Sequence, residues 1–307
     1  MSAAQERTGC HTECGRRPVN QDAVLAVRLP DGRELVAVAD GMGGHSAGEV
    51  ASQRALETVW TQLKAGADLR GAVMAANAAV HAAAAGNPGW SGMGTTLVAM
   101  LRAGSSYEIA NVGDSRAYRI TPDALSQITT DHSFVAEAVR ESRFATDEIA
   151  RSRWRNALTR SLGTEADVNV DCFGPFDARE PHAVLLCSDG LYRTLSDDVL
   201  QQHVARADDP WAAARSLTAE AYRNGSADNI SAAVVLFGEG ATQLSRIEGR
   251  AVPPSDSASA RFGVPAPTRA SVGRRRRRSR RARRADIQLA AVIVLLIVIV
   301  AVLMRVW

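Results

Sequence analysis

The sequence predicts an α+β fold built on antiparallel strands, and three of its features carry that expectation. Residues 23–29 and 35–39 are apolar runs joined through Asp31-Gly32, the spacing of a tight hairpin. Two stretches of helical period, 51–63 and 68–85, then follow together instead of alternating with single strands. Three more short runs, 97–101, 107–112 and 115–120, are separated only by Gly104-Ser105-Ser106 and Gly113-Asp114, which predicts an antiparallel meander.

Composition bounds the setting of these elements. The chain has 307 residues, of which 46% are hydrophobic and 22% charged, enough for one large core or two small ones. Its formal net charge of +3 hides an asymmetry, because Arg274 to Arg284 carry nine arginines and no acid. The remainder is mildly acidic. Cys10, Cys14, Cys172 and Cys187 lack the paired spacing of a zinc ribbon and are expected to be reduced, buried thiols. Residues 1–20 contain no apolar stretch of the kind a signal peptide needs, so the body is expected to stay in the cytosol.

In order along the chain, residues 8–15 suit an edge strand and lead through Arg16 to Asp22 into the hairpin, whose strand ends carry Asp22 and Asp40. Leu35 to Ala39 is a continuous apolar run of the kind buried on both faces. Ser46 and Glu49 have capping-box spacing ahead of the first helix, and Gly86-Asn87-Pro88 stops the second. Gly94 and Gly113 stand where strands meet the loops that bear acids, and either crowding or a plain turn accounts for Gly113. Between Asp131 and Gly163 the pattern is helical and polar, which suggests a mobile flap over the body that could touch substrate. Strands at 168–173 and 183–188, helices near 197–203 and 210–224, and a closing strand at 230–237 complete the core.

Residues 238–286 are rich in Pro, Ser, Ala, Gly and Arg without sustained period, and are expected to be a disordered linker. Residues 287–304 hold no charge and only Gln288 as a polar residue, about 27 Å as a helix, which predicts a transmembrane anchor. A buried core helix is the alternative, but the linker leaves it nothing to pack against. The arginines before it place the N-terminal body in the cytoplasm and would attract anionic membrane lipid by about 1 kcal/mol each. Residues 305–307 would be a short extracytoplasmic end. Nucleic acid is the rival partner for an arginine run, but this run abuts the membrane segment, so none is expected.

Asp22, Asp40, Asp189 and Asp228 all stand where apolar segments meet loops. Converging carboxylates repel one another and take up protons unless a cation neutralises them. Oxygen donors alone suit Mg²⁺ or Mn²⁺; zinc would recruit His or Cys, and an EF-hand needs denser acids than residues 40–49 provide. Gly41, Gly43 and Gly44 let a backbone carbonyl approach the same ion. One Asp-Gly is ordinarily a turn. Several at strand ends point to a metal site.

Over residues 6–237 the chain carries, in order, Arg17 with Asn20-Gln21-Asp22, then VAVADGMGGH, GMGTT, NVGDSRAYR, TTDHS, NALTRSLG, LLCSDGL and ADNIS. In these motifs it resembles the metal-dependent type 2C Ser/Thr protein phosphatases of the PPM family, in particular the bacterial members. The resemblance implies a catalytic domain over residues 1–237, an antiparallel β-sandwich flanked by helices in four α-β-β-α layers. It implies two Mn²⁺ or Mg²⁺ ions bridged by Asp40, with the Gly41 carbonyl on one and Asp189 and Asp228 on the other. Asp22 would act mainly through water, and Asp131 matches a position that helps hold a third, weaker ion. Asp114 would hold a turn. Hydroxide between the ions would attack phosphorus in line without a phosphoenzyme, Arg17 clamping the phosphate oxygens. Arg16 beside it is expected to be a solvated surface charge.

Two departures from the family pattern bear on the site. Gln21 stands where many members have Glu, which is expected to weaken metal binding, and Met42 stands where eukaryotic members carry a His that protonates the leaving oxygen. His45 is displaced by three residues and suits a loop or capping contact, so water would serve as the acid. His132 is expected to be an exposed loop residue. The implied substrates are phosphoserine and phosphothreonine proteins, including membrane Ser/Thr kinases and their substrates. The alternatives are a non-catalytic membrane-anchored scaffold of the same fold that binds phosphoproteins, which loss of a metal carboxylate would mark, and a small-molecule phosphatase.

Overall fold

The computed structural model describes residues 7–44, 46–140, 157–207 and 209–238. Within them the chain forms β1 (Thr8–Glu13), β2 (Asp22–Arg28), β3 (Glu34–Met42), α1 (Ala47–Lys64), α2 (Leu69–Gly86), β4 (Gly94–Thr95), β5 (Leu97–Ala103) and β6 (Ser106–Val112). There follow β7 (Arg116–Ile120), β8 (Leu125–Gln127), α3 (Phe134–Arg140), β9 (Asp171–Asp177), β10 (His182–Cys187), α4 (Asp189–Tyr192), α5 (Asp197–Arg206), α6 (Pro210–Arg223) and β11 (Ile230–Phe237). One sheet runs β1-β11-β10-β7-β8 and the other β2-β3-β5-β6-β9, with β4 paired to β3. Every strand pairing is antiparallel.

Side-chain alternation explains the layering. Along β3, Leu35, Ala37 and Ala39 pack with Ala51, Leu56, Val59 and Leu63 of α1, while Val36 and Val38 pack between the sheets. In β11, Ala232 and Val234 meet Leu217 and Ala221 of α6, and Ala233, Val235 and Phe237 face the opposite sheet. Three apolar layers therefore separate four structural ones, the expected α-β-β-α sandwich. A fully buried Val or Leu contributes about 1.5–3 kcal/mol, so slipping β3 by one residue would disrupt both faces together. That fixes Asp40 directly opposite Asp22 in the β2–β3 register.

The expected meander is not formed. The chain runs from β5 into β6, but then crosses to the other sheet, where β7 pairs with β10 and β8. Gly113 makes the crossing: its φ is +105°, and a Cβ there would lie 2.6 Å from Thr96 Cβ, so the turn and the crowding both require glycine. The strand expected at 168–173 begins instead at Asp171. Asn77 donates to the Glu165 and Ala166 carbonyls, and Arg70 to that of Val170, so side chains of α2 satisfy a backbone that would otherwise seek a ladder.

The Ser46–Glu49 capping box is absent as well. Ser46 caps α1 without a side-chain bond, at φ −97° and ψ 2°, and Glu49 accepts from Gln53. Asp68 does cap α2, accepting from Gly71 N. Of the four free cysteines only Cys187 is buried; Cys172 is exposed because β9 is an edge strand. No helix among the described residues is long and apolar enough to cross a membrane. The predicted span, the predicted linker beyond Gly238 and residues 141–156 of the predicted flap lie outside the described residues, as does His45.

Candidate metal and phosphate site

The acids gather at one end of the sandwich, where loops of both sheets meet. Asp22, at the start of β2, is buried and reaches across to the other sheet, its Oδ2 accepting from Ser188 Oγ and Ser231 Oγ, both at 2.7 Å. Asp40 has its backbone pinned by the GMGTT motif: its N donates to Thr96 Oγ1, and its carbonyl accepts from Thr95 Oγ1 and Thr96 N. Asp189 opens α4 directly after β10, and Asp228 precedes β11. Asn229 ties in the loop that carries Arg17, donating to the Cys14 and Val19 carbonyls and accepting from Gln21 N.

Arg17, Asp40, Asp189 and Asp228 line one open cavity of about 880 Å³, together with Met42 and Asp114. Arg17 donates through Nε to the Ala227 carbonyl and through Nη2 to Asp228 Oδ2. Gly41 packs against α1 so closely that a Cβ would fall 2.0 Å from the Gly48 carbonyl oxygen. Gln21 Nε2 donates to the Gly43 carbonyl, which places the residue at the glycine loop. Arg16 is exposed as expected.

The electrostatics are those of an anionic excess. Burial, with the charges of Asp22, Asp189, Asp114 and Asp228, holds the Asp40 carboxyl well above the usual carboxylate range. Burial pushes Asp22 up to about 7 against the pull of the two serine hydroxyls, with Asp189 and Asp228 adding to the rise. Asp189 is raised by burial although Arg193 opposes it. Asp22 Oδ1 and Asp189 Oδ1 are buried without a hydrogen-bond partner. Unpaired buried oxygens amid mutually repelling acids fit divalent cations of the Mg²⁺ or Mn²⁺ type. Among the described residues no three such side chains already enclose a point as a finished cage, and Asp189 and Asp228 each have an oxygen on an arginine.

Asp131 is not in this cavity. It opens on a neighbouring one of about 970 Å³ that shares Asp189 and Asp228, and both its oxygens accept from Arg116. Asp114 is buried and holds Arg193, not merely its own turn; burial and Asp189 push it up to about 6. His132 corrects the expectation of an exposed loop residue. It is 2% exposed, its Nδ1 accepting from Gly113 N and its Nε2 donating to Asp171 Oδ2. Arg160, whose segment lines the main cavity, donates to the same carboxylate. Sequence reasoning missed Arg193, which caps the end of the short α4 four residues after Asp189, because no helix was expected there.

Comparison with known proteins gives the family. Residues 14–231 match the family model described as protein phosphatase 2C. The serine/threonine phosphatase Stp of Listeria monocytogenes is 37% identical over 203 residues, covering 62% of this chain and 80% of the relative. PstP of Mycobacterium tuberculosis, a serine/threonine protein phosphatase, is 37% identical over 237 residues, 74% of this chain and 44% of PstP. A solved structure of the PstP catalytic domain in complex with two manganese ions superposes with a TM-score of 0.65 at 33% identity, covering 76% of this chain and 98% of that one. The chain belongs to the protein phosphatase 2C family. Its enzyme class is accordingly that of the metal-dependent protein-serine/threonine phosphatases.

Proposed function

We propose that the chain hydrolyses phosphoserine and phosphothreonine in proteins, with two Mn²⁺ or Mg²⁺ ions held among Asp22, Asp40, Gly41, Asp189 and Asp228. The observation that carries the reading is the buried anionic excess at one cavity, with Asp22 Oδ1 and Asp189 Oδ1 lacking any partner. Asp40 would serve both ions, the Gly41 carbonyl one of them, and Asp189 with Asp228 the other. Asp22 would support the centre from beneath, one oxygen fixed by Ser188 and Ser231. When bound, the ions supply Lewis-acid polarisation of the phosphoryl group and activation of water.

Arg17 binds and orients the phosphate in this reading. Its guanidinium stands at the cavity mouth, half exposed, and its fork of donors suits a tetrahedral dianion. The test is hydrolysis of a phosphothreonine peptide by the full chain with Mn²⁺ and after chelation. Chelation, Asp40→Asn and Asp189→Asn should each abolish turnover. A folded protein that binds the peptide yet turns nothing over with any metal would be a scaffold instead.

We further propose that residues 287–304 anchor the chain in the cell membrane with the catalytic domain in the cytoplasm. The run of nine arginines would lie against anionic lipid, and membrane Ser/Thr kinases and their substrates would be among the phosphoproteins acted on. The support is the apolar, uncharged span and the arginines before it. Release of the chain from membranes by carbonate would overturn the anchor, and failure to dephosphorylate any kinase of the same cell would overturn the partner.

A further inference from the structure

Arg193 sits between two carboxylates that belong to different strands' ends. Its Nη2 is 2.9 Å from Asp114 Oδ2, and its Nε is 3.3 Å from Asp189 Oδ2. The guanidinium thus joins the β6–β7 crossing to the start of α4. The base of the arrangement is rigid. Arg193 N donates to the Asp189 carbonyl, Thr194 Oγ1 and Ser226 Oγ donate to that of Gly190, and Tyr192 Oη donates to the Asp114 carbonyl. Gly190 itself has no room for a side chain, since a Cβ would lie 2.0 Å from the Asn229 carbonyl oxygen.

Of the two Asp189 oxygens, Oδ2 is the one on Arg193 and Oδ1 is the buried one without a partner. An aspartate side chain keeps two rotations, χ1 and χ2, once its backbone is fixed, and a guanidinium held against one oxygen restricts both. We infer that Arg193 is a positioning residue of the metal centre: anchored by Asp114, it holds Asp189 Oδ2 and so presents Asp189 Oδ1 to the cation. Asp114 then serves the centre through Arg193. The inference rests on the two-ion reading proposed above.

Arg193 also brings a positive charge towards a cation site, and by Coulomb's law alone that charge would weaken binding. Orientation and repulsion predict opposite outcomes. Supporting residues that orient ligands are typically worth about 10–100-fold in metal affinity. Mn²⁺ binding to the full chain, metal-stripped beforehand, should be measured by titration calorimetry for wild type, Arg193→Gln and Arg193→Lys, with far-ultraviolet dichroism to confirm the fold. Lysine keeps the charge but has no fork to span Asp114 and Asp189. Both variants should bind at least one ion about 10-fold or more weaker. Tighter binding by Arg193→Gln, or wild-type affinity in Arg193→Lys, would overturn the inference in favour of charge alone. Wild-type protein that binds no Mn²⁺ would instead overturn the two-ion reading itself.

Discussion

Arg17 Nη2 lies 2.8 Å from Asp228 Oδ2, so the side chain proposed to grip phosphate and one proposed to hold a cation are paired with each other. A phosphate and a cation would each open this pair for the other. Both side chains are substantially exposed, 52% and 38%, and such a pair contributes about 0–1 kcal/mol to folding. Arg17→Gln should therefore leave thermal stability nearly unchanged while lowering kcat/KM on a phosphothreonine peptide about 10–100-fold, the loss of a charge-assisted hydrogen bond. Unchanged kinetics would remove Arg17 from the phosphate site.

The Gly41–Gly48 approach leaves no space for a methyl group, whereas a Cβ at Gly44 would meet nothing within 4 Å. Gly41→Ala should cost about 3 kcal/mol or more, because its obstacle is backbone and cannot rotate away. Gly44→Ala should fold normally. Urea denaturation of the two variants measures the contrast, and equal midpoints would contradict the packing.

Removing His132 strips a buried acceptor from Gly113 N and a donor from Asp171. His132→Ala should lower stability by about 2 kcal/mol or more through the unsatisfied amide and the space left behind. Since the Gly113 turn carries Asp114, Mn²⁺ affinity should fall with it. Chemical denaturation and calorimetry on the same variant check both effects.

His182 reports on pH. Its Nδ1 donates to the Glu180 carbonyl, its Nε2 accepts from Tyr107 Oη, and its ring stacks on Phe237 at 4.7 Å. Burial lowers its pKa, so the unfolded chain takes up a proton at a pH where the folded one does not. Its contribution to stability is whole above the ordinary histidine value and declines as pH falls from there towards the folded value. The urea midpoint should drop more between about pH 7.5 and about pH 5.5 in wild type than in His182→Gln, whose side chain does not titrate. Parallel drops would place the titration elsewhere.

What can be read from the sequence is local and periodic. The hairpin that sets Asp22 opposite Asp40 follows from two apolar runs and one Asp-Gly turn, and β11 is legible at its full length as an almost unbroken apolar run. What cannot be read is settled by distant partners. A Gly-Asp turn serves a meander as well as a crossing, and only the contact between Gly113 and Thr96 decides. The TTDHS segment looks like solvent-facing loop, yet Asp171, far along the chain, makes His132 a buried hub. The pairing of Asp131 with Arg116 and of Asp228 with Arg17 likewise depends on where two sheets bring their ends together.

The β1–β11 pairing, with Thr8 beside Val235, has a consequence for how the enzyme comes into being. The opening strand of the sandwich has its ladder neighbour at the far end of the domain, and Asp22 finds Ser188 and Ser231 there too. On a ribosome, Arg17, Asp22 and Asp40 emerge first and wait through most of the domain's translation for the residues that complete their site. The partners of β1 and of Asp22 therefore exist only once β11 has been synthesised, so the fold that gathers these acids waits for the end of the domain.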